Sequence, residues 1–292
     1  MHTGAQGRHG RPITVRDLIE MIRQDYEVNG RRSAARMETA LRLHVLPVLG
    51  DVPVRDVSRA AFRYVGSRRL EQAAPATIHC ELSVLGRMLT LTYRAGMIPA
   101  RPSLPSIHLE NARTGFFEPW QVRAVVRELP RYLADALVFA LHTGWRRGEI
   151  FGLTWANVDL DSQTIRLEPG STKNRRGRIF PYRNHEIICA VMSHRDRVRH
   201  GPYVFHYEGR RVRWFWYTWN RACNRAGVSG RVFHDSRRTA ARSMERAGVP
   251  RTVAMRLIGL LTEEMYRRYA IVSERDLGDG VARLNDYEGI QR

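Results

Sequence analysis

The chain has 292 residues, of which 48 are Lys or Arg and 29 are Asp or Glu, so its net charge at pH 7 is +19. A hydrophobic content of 43% is enough for one large folded domain or two ordinary ones. No apolar run approaches the roughly 18 residues of a transmembrane helix, and the polar first residues lack the apolar core of a secretion signal. The charge predicts a polyanionic partner, nucleic acid first, with a merely basic protein from an arginine-rich genome as the alternative.

The chain has three cysteines, Cys80, Cys189 and Cys223, which are far apart and lack CxxC spacing. This pattern favours neither a disulfide framework nor a zinc site and is typical of a reducing, intracellular compartment. The sequence also lacks a P-loop, a dinucleotide-binding glycine motif and an EF-hand loop. We therefore expect neither a metal nor a cofactor.

The first part of the chain predicts a small all-helical domain. Residues 1–12 are expected to be a flexible tail, and apolar residues at helical spacing predict helices over residues 14–28, 33–46, 58–72 and 75–95. Pro75 and Gly96 mark the limits of the last helix. Residues 13–97 form the predicted domain, and the arginines on its polar faces indicate either a DNA-facing surface or a merely solvated one.

Residues 98–113 contain three prolines and no periodicity, which predicts a linker between two domains. Residues 114–292 are then a second domain with a C-terminal tail. Alternating apolar and polar residues predict a strand pair over 155–167, and residues 171–182 predict a hairpin tip that leads into a strand. The rest is mostly helical, so the predicted fold class is mainly α with a small antiparallel β-sheet.

Lys173 is the single lysine among the 48 Lys and Arg residues. A lysine can release its proton, whereas an arginine effectively cannot. Lys173, near the tip of the predicted hairpin, is therefore a candidate proton donor. The alternative is that a single lysine remains in the sequence by chance.

Four further residues complete a chemically consistent set. Arg146 follows a Thr-Gly turn, and Tyr269 lies near the end of the chain. His234 and Arg237 are three residues apart, on neighbouring turns if the segment is helical. Two arginines can hold a phosphate, a tyrosine hydroxyl can attack phosphorus, and a lysine can protonate the departing sugar oxygen. Together they predict phosphoryl transfer without a metal, although each residue alone has an ordinary structural explanation.

Four segments, in this order, resemble the conserved boxes of the tyrosine recombinases, the phage integrase family. They are TGWRRGEIFGLTWANVDL for the first box, TKNRRGRIFPY for the hairpin with the family's lysine, HDSRRTAAR for the His-x-x-Arg box, and RLIGLLTEEMYRRYAIVSERDL for the box with the nucleophile. The resemblance covers roughly residues 13–275. It implies an N-terminal helical core-binding bundle and a C-terminal α+β tyrosine-recombinase catalytic domain.

The resemblance also implies a role for each of these positions. Arg146 and Arg237 clamp the scissile phosphate, and Lys173 is the general acid for the 5′-hydroxyl leaving group. His234 takes part in proton transfer. Glu149 matches the acidic residue of the first box, which supports the site without touching the phosphate.

Tyr269 is the implied nucleophile, which forms a 3′-phosphotyrosyl bond, and Tyr266 is its rival. Tyr269 is preferred because its Arg-Tyr-Ala-Ile-Val context and its spacing from position 260 match the family better. The family usually has His or Trp where this chain has Leu260, and leucine cannot donate a hydrogen bond. Weakened activity is the preferred interpretation, ahead of a substitution that traps a complex or a relic that binds DNA without cutting it.

The implied function is that of a site-specific recombinase or integrase of a phage or mobile element, which cuts and rejoins DNA without metal or ATP. Its implied partners are a double-stranded DNA attachment site, further copies of itself in a homo-tetramer on synapsed DNA, and accessory DNA-bending proteins, with no membrane. The expected location is the cytoplasm of a bacterial or phage-infected cell, at the nucleoid. A non-catalytic DNA-binding protein on the recombinase scaffold and a type IB topoisomerase-like enzyme are the alternatives.

Overall fold

The computed structural model describes residues 11–109, 115–169, 177–267, 269, 277–278 and 280–285. The chain divides into two compact units, Met1–Asn111 and Ala112–Arg292, each with its own hydrophobic core. The division falls inside the predicted linker. Both units are mainly helical and the second carries small antiparallel sheets, which confirms the predicted fold class.

Unit 1 is a helical bundle. Its described α-helices are α1 Ile19–Val28, α2 Ala34–Ala40, α3 Leu46–Leu49, α4 Val57–Leu70 and α5 Pro75–Arg94. Pro75 occupies the first turn of α5, where its missing N–H leaves no hydrogen bond unmade. The predicted second helix is longer and less regular than expected, because a π-helical segment, Leu41–Val45, joins α2 to α3.

Residues 98–109, in the predicted linker, form neither helix nor strand. Ile98 and Ile107 are nevertheless buried in the core of unit 1, and Leu104 and Leu109 pack against that core. The prolines prevent regular structure, while the apolar side chains before, among and after them pack against the bundle. This part of the predicted linker is therefore an edge of unit 1.

Unit 2 is built on helices that surround a short sheet. Its described helices are α6 Pro119–Glu128, α7 Arg131–Thr143, α8 Arg147–Ile150, α9 Glu186–Arg197, α10 Trp216–Arg225, α11 Asp235–Arg246, α12 Arg251–Ile258 and α13 Glu263–Arg267. The apolar helix α7 is the centre, since its side chains Ala136, Leu137 and Phe139 are fully buried. It packs against α9 and α11. None of the helices in the described part of the chain combines the length and apolar character needed to span a bilayer.

The sheet of unit 2 is antiparallel in the order β1-β2-β3, with strands β1 Val158–Asp159, β2 Thr164–Leu167 and β3 Arg178–Pro181. Ile165 pairs with Val158 on one side and with Phe180 on the other. The predicted strand pair is thus confirmed, although its first residues form a 3₁₀ turn, Trp155–Asn157. A second hairpin, β4 His206–Tyr207 with β5 Arg210–Arg211, was not predicted, because two-residue strands leave no alternation to detect.

Candidate active site

Two helix ends meet at the start of α11. Helix α7 ends at Gly144 and α12 ends at Gly259, with φ values of 66° and 78° in the left-handed region that favours glycine. A Cβ on Gly144 would lie 2.9 Å from Ile258 Cγ1, and one on Gly259 would lie 2.4 Å from Arg178 Cζ. Both glycines are therefore required for the close approach of these helix ends.

Arg237, in the first turn of α11, fills the space between the two helix ends. Its buried guanidinium donates from Nη1 to the carbonyls of Gly144 at 2.6 Å and Ile258 at 2.8 Å. Burial, and then the charge of Arg146, lowers the pKa of Arg237 to about 10, which leaves it protonated at neutral pH. Its Nε is also buried and has no hydrogen-bond partner among the described residues.

Glu149 fixes a second arginine. Arg146 is the N-cap of α8, and Glu149 accepts its backbone N–H at 2.8 Å and its Nη1 at 3.1 Å. Arg178, the first residue of β3, donates from Nη2 to the same carboxylate at 2.6 Å and from Nη1 to the carbonyl of Ile258 at 2.5 Å. Glu149 thereby holds α8 and β3 in one arrangement, which orients Arg146.

The side chains of His234 and Tyr269 lie beside Arg237. The Tyr269 hydroxyl is 3.5 Å from His234 Nε2, the outer limit of a hydrogen bond. The guanidinium carbon of Arg237 is 5.2 Å from the centre of the Tyr269 ring. Arg146 acts electrostatically on both His234 and Arg237. The structure thus brings four of the five predicted catalytic side chains together; the fifth, Lys173, lies outside the described residues and remains a prediction.

Tyr266, the rival nucleophile, points elsewhere. It is fully buried in a cluster of α11 and α12 side chains that includes Ala241, Met244 and Ile258. Burial raises the pKa of Tyr266 to about 12, and its hydroxyl has no hydrogen-bond partner among the described residues. The tyrosine beside His234 is Tyr269.

Leu260 is buried in the same cluster, and Tyr269 packs against that cluster. Leu260 also lines a cavity of about 630 Å³ together with Arg178 and Met255. At this position the chain therefore supplies apolar packing in the cluster against which Tyr269 packs.

Arg178 is the site residue that sequence reasoning missed. It pairs with Leu167 in the sheet, and its guanidinium lies 5.1 Å from the centre of the Trp145 ring. The one indication of such a residue in the sequence is Glu149, because a buried carboxylate beside Arg146 needs further hydrogen-bond donors. One arginine among 47 could not be selected as that donor without the fold.

A sequence model of the phage integrase family matches residues 118–275, more than half of the chain. The chain belongs to the phage integrase family. Within that family it is 28% identical over 238 residues to the integrase of Salmonella phage P22, a match that covers 74% of this chain and 59% of the phage protein. The chain spans less than two thirds of the length of the curated relatives it matches.

Solved structures of two integrases share the fold. A lambda integrase tetramer bound to a Holliday junction superposes with a TM-score of 0.72 and 16% identity, over 89% of this chain and 78% of the other. The Tn1549 transposon integrase in complex with circular intermediate DNA gives a TM-score of 0.68 and 16% identity, over 92% and 99%. No group of three or more His, Cys, Asp or Glu side chains is suited to hold a metal in the described ranges.

Acid is expected to destabilise the folded protein through His234. Burial, and then the charges of Arg237 and Arg238, lowers the pKa of His234 to about 4 from an ordinary value of 6.5. His234 is also exposed to solvent, and solvent screening makes this lowering of its pKa smaller without changing its direction. As the pH falls from 6.5 towards 4, His234 therefore binds a proton in the unfolded chain but not in the folded chain. The free energy of unfolding is consequently highest above pH 6.5 and decreases as the pH falls towards 4.

The measurement is the free energy of unfolding in urea at about pH 7 and about pH 5, for the wild type and for His234→Gln. The wild type should lose more stability on acidification than the variant does. Burial also lowers the pKa values of His142 and His206, so the difference between the two proteins is the informative quantity. Equal losses would contradict the expectation.

Tyr266→Phe is expected to raise the free energy of unfolding by about 1 kcal/mol, because it removes a buried hydroxyl without a partner among the described residues. Urea unfolding measures the change. Tyr64→Phe is the matched control, since the buried Tyr64 hydroxyl donates to Glu81 at 2.7 Å and its loss should lower the stability. A clear loss of stability in Tyr266→Phe would mean that this hydroxyl is bonded.

Proposed function

We propose that the chain is a site-specific DNA recombinase, which cuts and rejoins DNA through a 3′-phosphotyrosyl intermediate. The observation that supports this most directly is the 3.5 Å approach of the Tyr269 hydroxyl to His234 Nε2, with the buried guanidinium of Arg237 beside both. A nucleophile, a proton acceptor and a cation converge there. That set suits the attack of an oxygen on a phosphodiester.

In the cleavage step, Arg146 and Arg237 bind the non-bridging oxygens of the scissile phosphate. Neutral His234 accepts the proton of the Tyr269 hydroxyl as its oxygen bonds to phosphorus. The bond from phosphorus to the 5′ oxygen breaks, and that oxygen takes a proton from Lys173. Religation reverses these transfers when a 5′-hydroxyl of another duplex attacks, so the phosphodiester bond energy is kept and no ATP is required.

The proposed partners are a double-stranded attachment site, further copies of this chain in a tetramer on synapsed DNA, and accessory DNA-bending proteins. Relatives of known structure are described as a tetramer on a Holliday junction and as complexes with circular intermediate DNA. The net charge of +19 suits such a partner. The proposed location is the cytoplasm of a bacterial or phage-infected cell.

The expected result is a covalent protein–DNA adduct that depends on Tyr269. The protein is incubated with nicked duplexes whose core sequence is randomised, so that the leaving strand diffuses away after cleavage. Denaturing gels detect the adduct, and sequencing of the retained DNA identifies the site. Tyr269→Phe should abolish the adduct, because the ring keeps its packing while the nucleophile is lost.

Tyr266→Phe is the matched control and should form the adduct at the wild-type rate. An adduct that survives in Tyr269→Phe and disappears in Tyr266→Phe would overturn the assignment of the nucleophile. Tight binding without any adduct would favour a non-catalytic DNA-binding protein. Relaxation of supercoiled plasmids without sequence preference would favour a topoisomerase.

A further inference from the structure

Three aromatic side chains project into solvent at the start of α10. Trp214, Trp216 and Tyr217 are 86%, 71% and 72% exposed. Phe215, in the middle of this segment, is buried against Phe151 at 5.1 Å between ring centres and so anchors the backbone. We call the three exposed side chains the aromatic patch. Clustered apolar groups of this size on a surface indicate a binding site.

The surroundings of the aromatic patch are strongly cationic. From Gly209 to His234 the chain contains six arginines and neither Asp nor Glu. Arg210, Arg213 and Arg221 are exposed in this stretch. The patch is therefore apolar within a positive surface, which complements a polyanion that also presents apolar groups.

The segment that carries the aromatic patch packs against α8, the helix whose N-cap is Arg146. The guanidinium carbon of Arg147, the residue after Arg146, lies 5.9 Å from the centre of the Phe215 ring. Arg211 donates to the carbonyls of Phe151 at 3.1 Å and Gly148 at 3.2 Å, which ties β5 to α8. The aromatic patch therefore lies on a segment next to the helix that presents Arg146 to the proposed duplex.

We propose that the aromatic patch reads the DNA beside the cleaved phosphate through apolar contact with thymine methyl groups. The choice of DNA as the partner rests on the proposed function. The C5-methyl of thymine is the apolar group that base pairs present in the major groove, where exposed Trp and Tyr rings can cover it. The surrounding arginines bind phosphates, which gives affinity without sequence information.

The test compares the binding of full-length protein to a short alternating A·T duplex and to the same duplex with uracil in place of thymine, which removes only the methyl groups. A Tyr269→Phe background prevents cleavage. The protein should bind the thymine duplex more tightly, by about fourfold for each methyl covered. The triple substitution Trp214→Ala, Trp216→Ala, Tyr217→Ala should bind both duplexes equally.

Trp120→Ala is the matched control, since Trp120 is 53% exposed on α6, and it should keep the thymine preference. The triple variant should also keep the wild-type dependence of affinity on salt, because it removes no phosphate contact. A reduced salt dependence would show that the substitutions had displaced arginines and would overturn the proposal. So would a thymine preference that persists in the triple variant, or one that is absent from the parent protein.

The alternative is that a second copy of this chain covers the aromatic patch. Sedimentation of the DNA-free proteins tests this alternative. Self-association that is lost in the triple variant while its DNA binding is unchanged would assign the aromatic patch to that contact and overturn the proposal. The inference and the proposed function fail separately. A Tyr269-dependent adduct without a thymine preference would contradict only the inference about the aromatic patch. A thymine preference without an adduct would contradict only the recombinase activity.

Discussion

Arg237→Gln is expected to slow formation of the covalent DNA adduct by about a hundred- to a thousandfold, the usual effect of removing one transition-state donor. The guanidinium is positioned before DNA binds, because Nη1 is held by the carbonyls of Gly144 and Ile258. These carbonyls are the negative ends of α7 and α12, which stabilise the charge inside the protein. Glutamine has no charge and cannot reach both the carbonyls and a phosphate.

The same substitution should lower the free energy of unfolding by about 1–3 kcal/mol, because the carbonyl of Gly144 loses its buried donor. Adduct formation must therefore be followed in single-turnover reactions, at a temperature where urea unfolding shows the variant to be folded. Under those conditions the rate reports the phosphate contact and not the folded fraction.

Arg195→Gln is the matched control. Arg195 is a buried arginine of α9 that donates to the carbonyl of Val204 at 2.9 Å, so it resembles Arg237 in burial and bonding. Its replacement should cost stability and leave the rate of the folded protein unchanged. Equal rates for Arg237→Gln and the wild type would remove Arg237 from the proposed chemistry.

The positions of His234 and Arg237 could be predicted from the sequence because they belong to one helix start, where spacing alone determines proximity. The fold class followed in the same way from periodicity within segments. Arg178 could not be predicted, since its role depends on a carboxylate 29 residues away and on the end of α12. Contacts between distant elements leave no local pattern, and they complete this site.

Other departures have related causes. The π-helical segment Leu41–Val45 shortly precedes Pro47, which has no N–H to donate to the carbonyl of Leu43 and so interrupts the regular helical hydrogen bonds. The prolines around Ile98 and Ile107 predict a linker, yet these two side chains complete the core of unit 1. In this second case tertiary burial outweighs local propensity.

Leu260→His is expected to raise the rate of adduct formation by about a hundredfold, since it supplies one more donor to the phosphate. Leu260 is next to Gly259, and Tyr269 packs against the cluster to which Leu260 belongs. A ring at this position would belong to the cluster that Tyr269 contacts, and this proximity is the basis of the expectation. The cavity beside Leu260, with Arg178 and Met255 in its lining, leaves room for the imidazole ring.

The same change should lower the free energy of unfolding by about 1–2 kcal/mol, because a polar ring replaces a buried apolar side chain. A higher rate together with a lower stability is the signature of a position where this chain has packing in place of a hydrogen bond. Leu260→Met is the matched control, since it keeps apolar packing, adds no donor and should leave the rate unchanged. Equal rates for the His and Met variants would mean that position 260 does not limit cleavage. Leucine would then be tolerated there because Arg146 and Arg237 already supply the necessary charge.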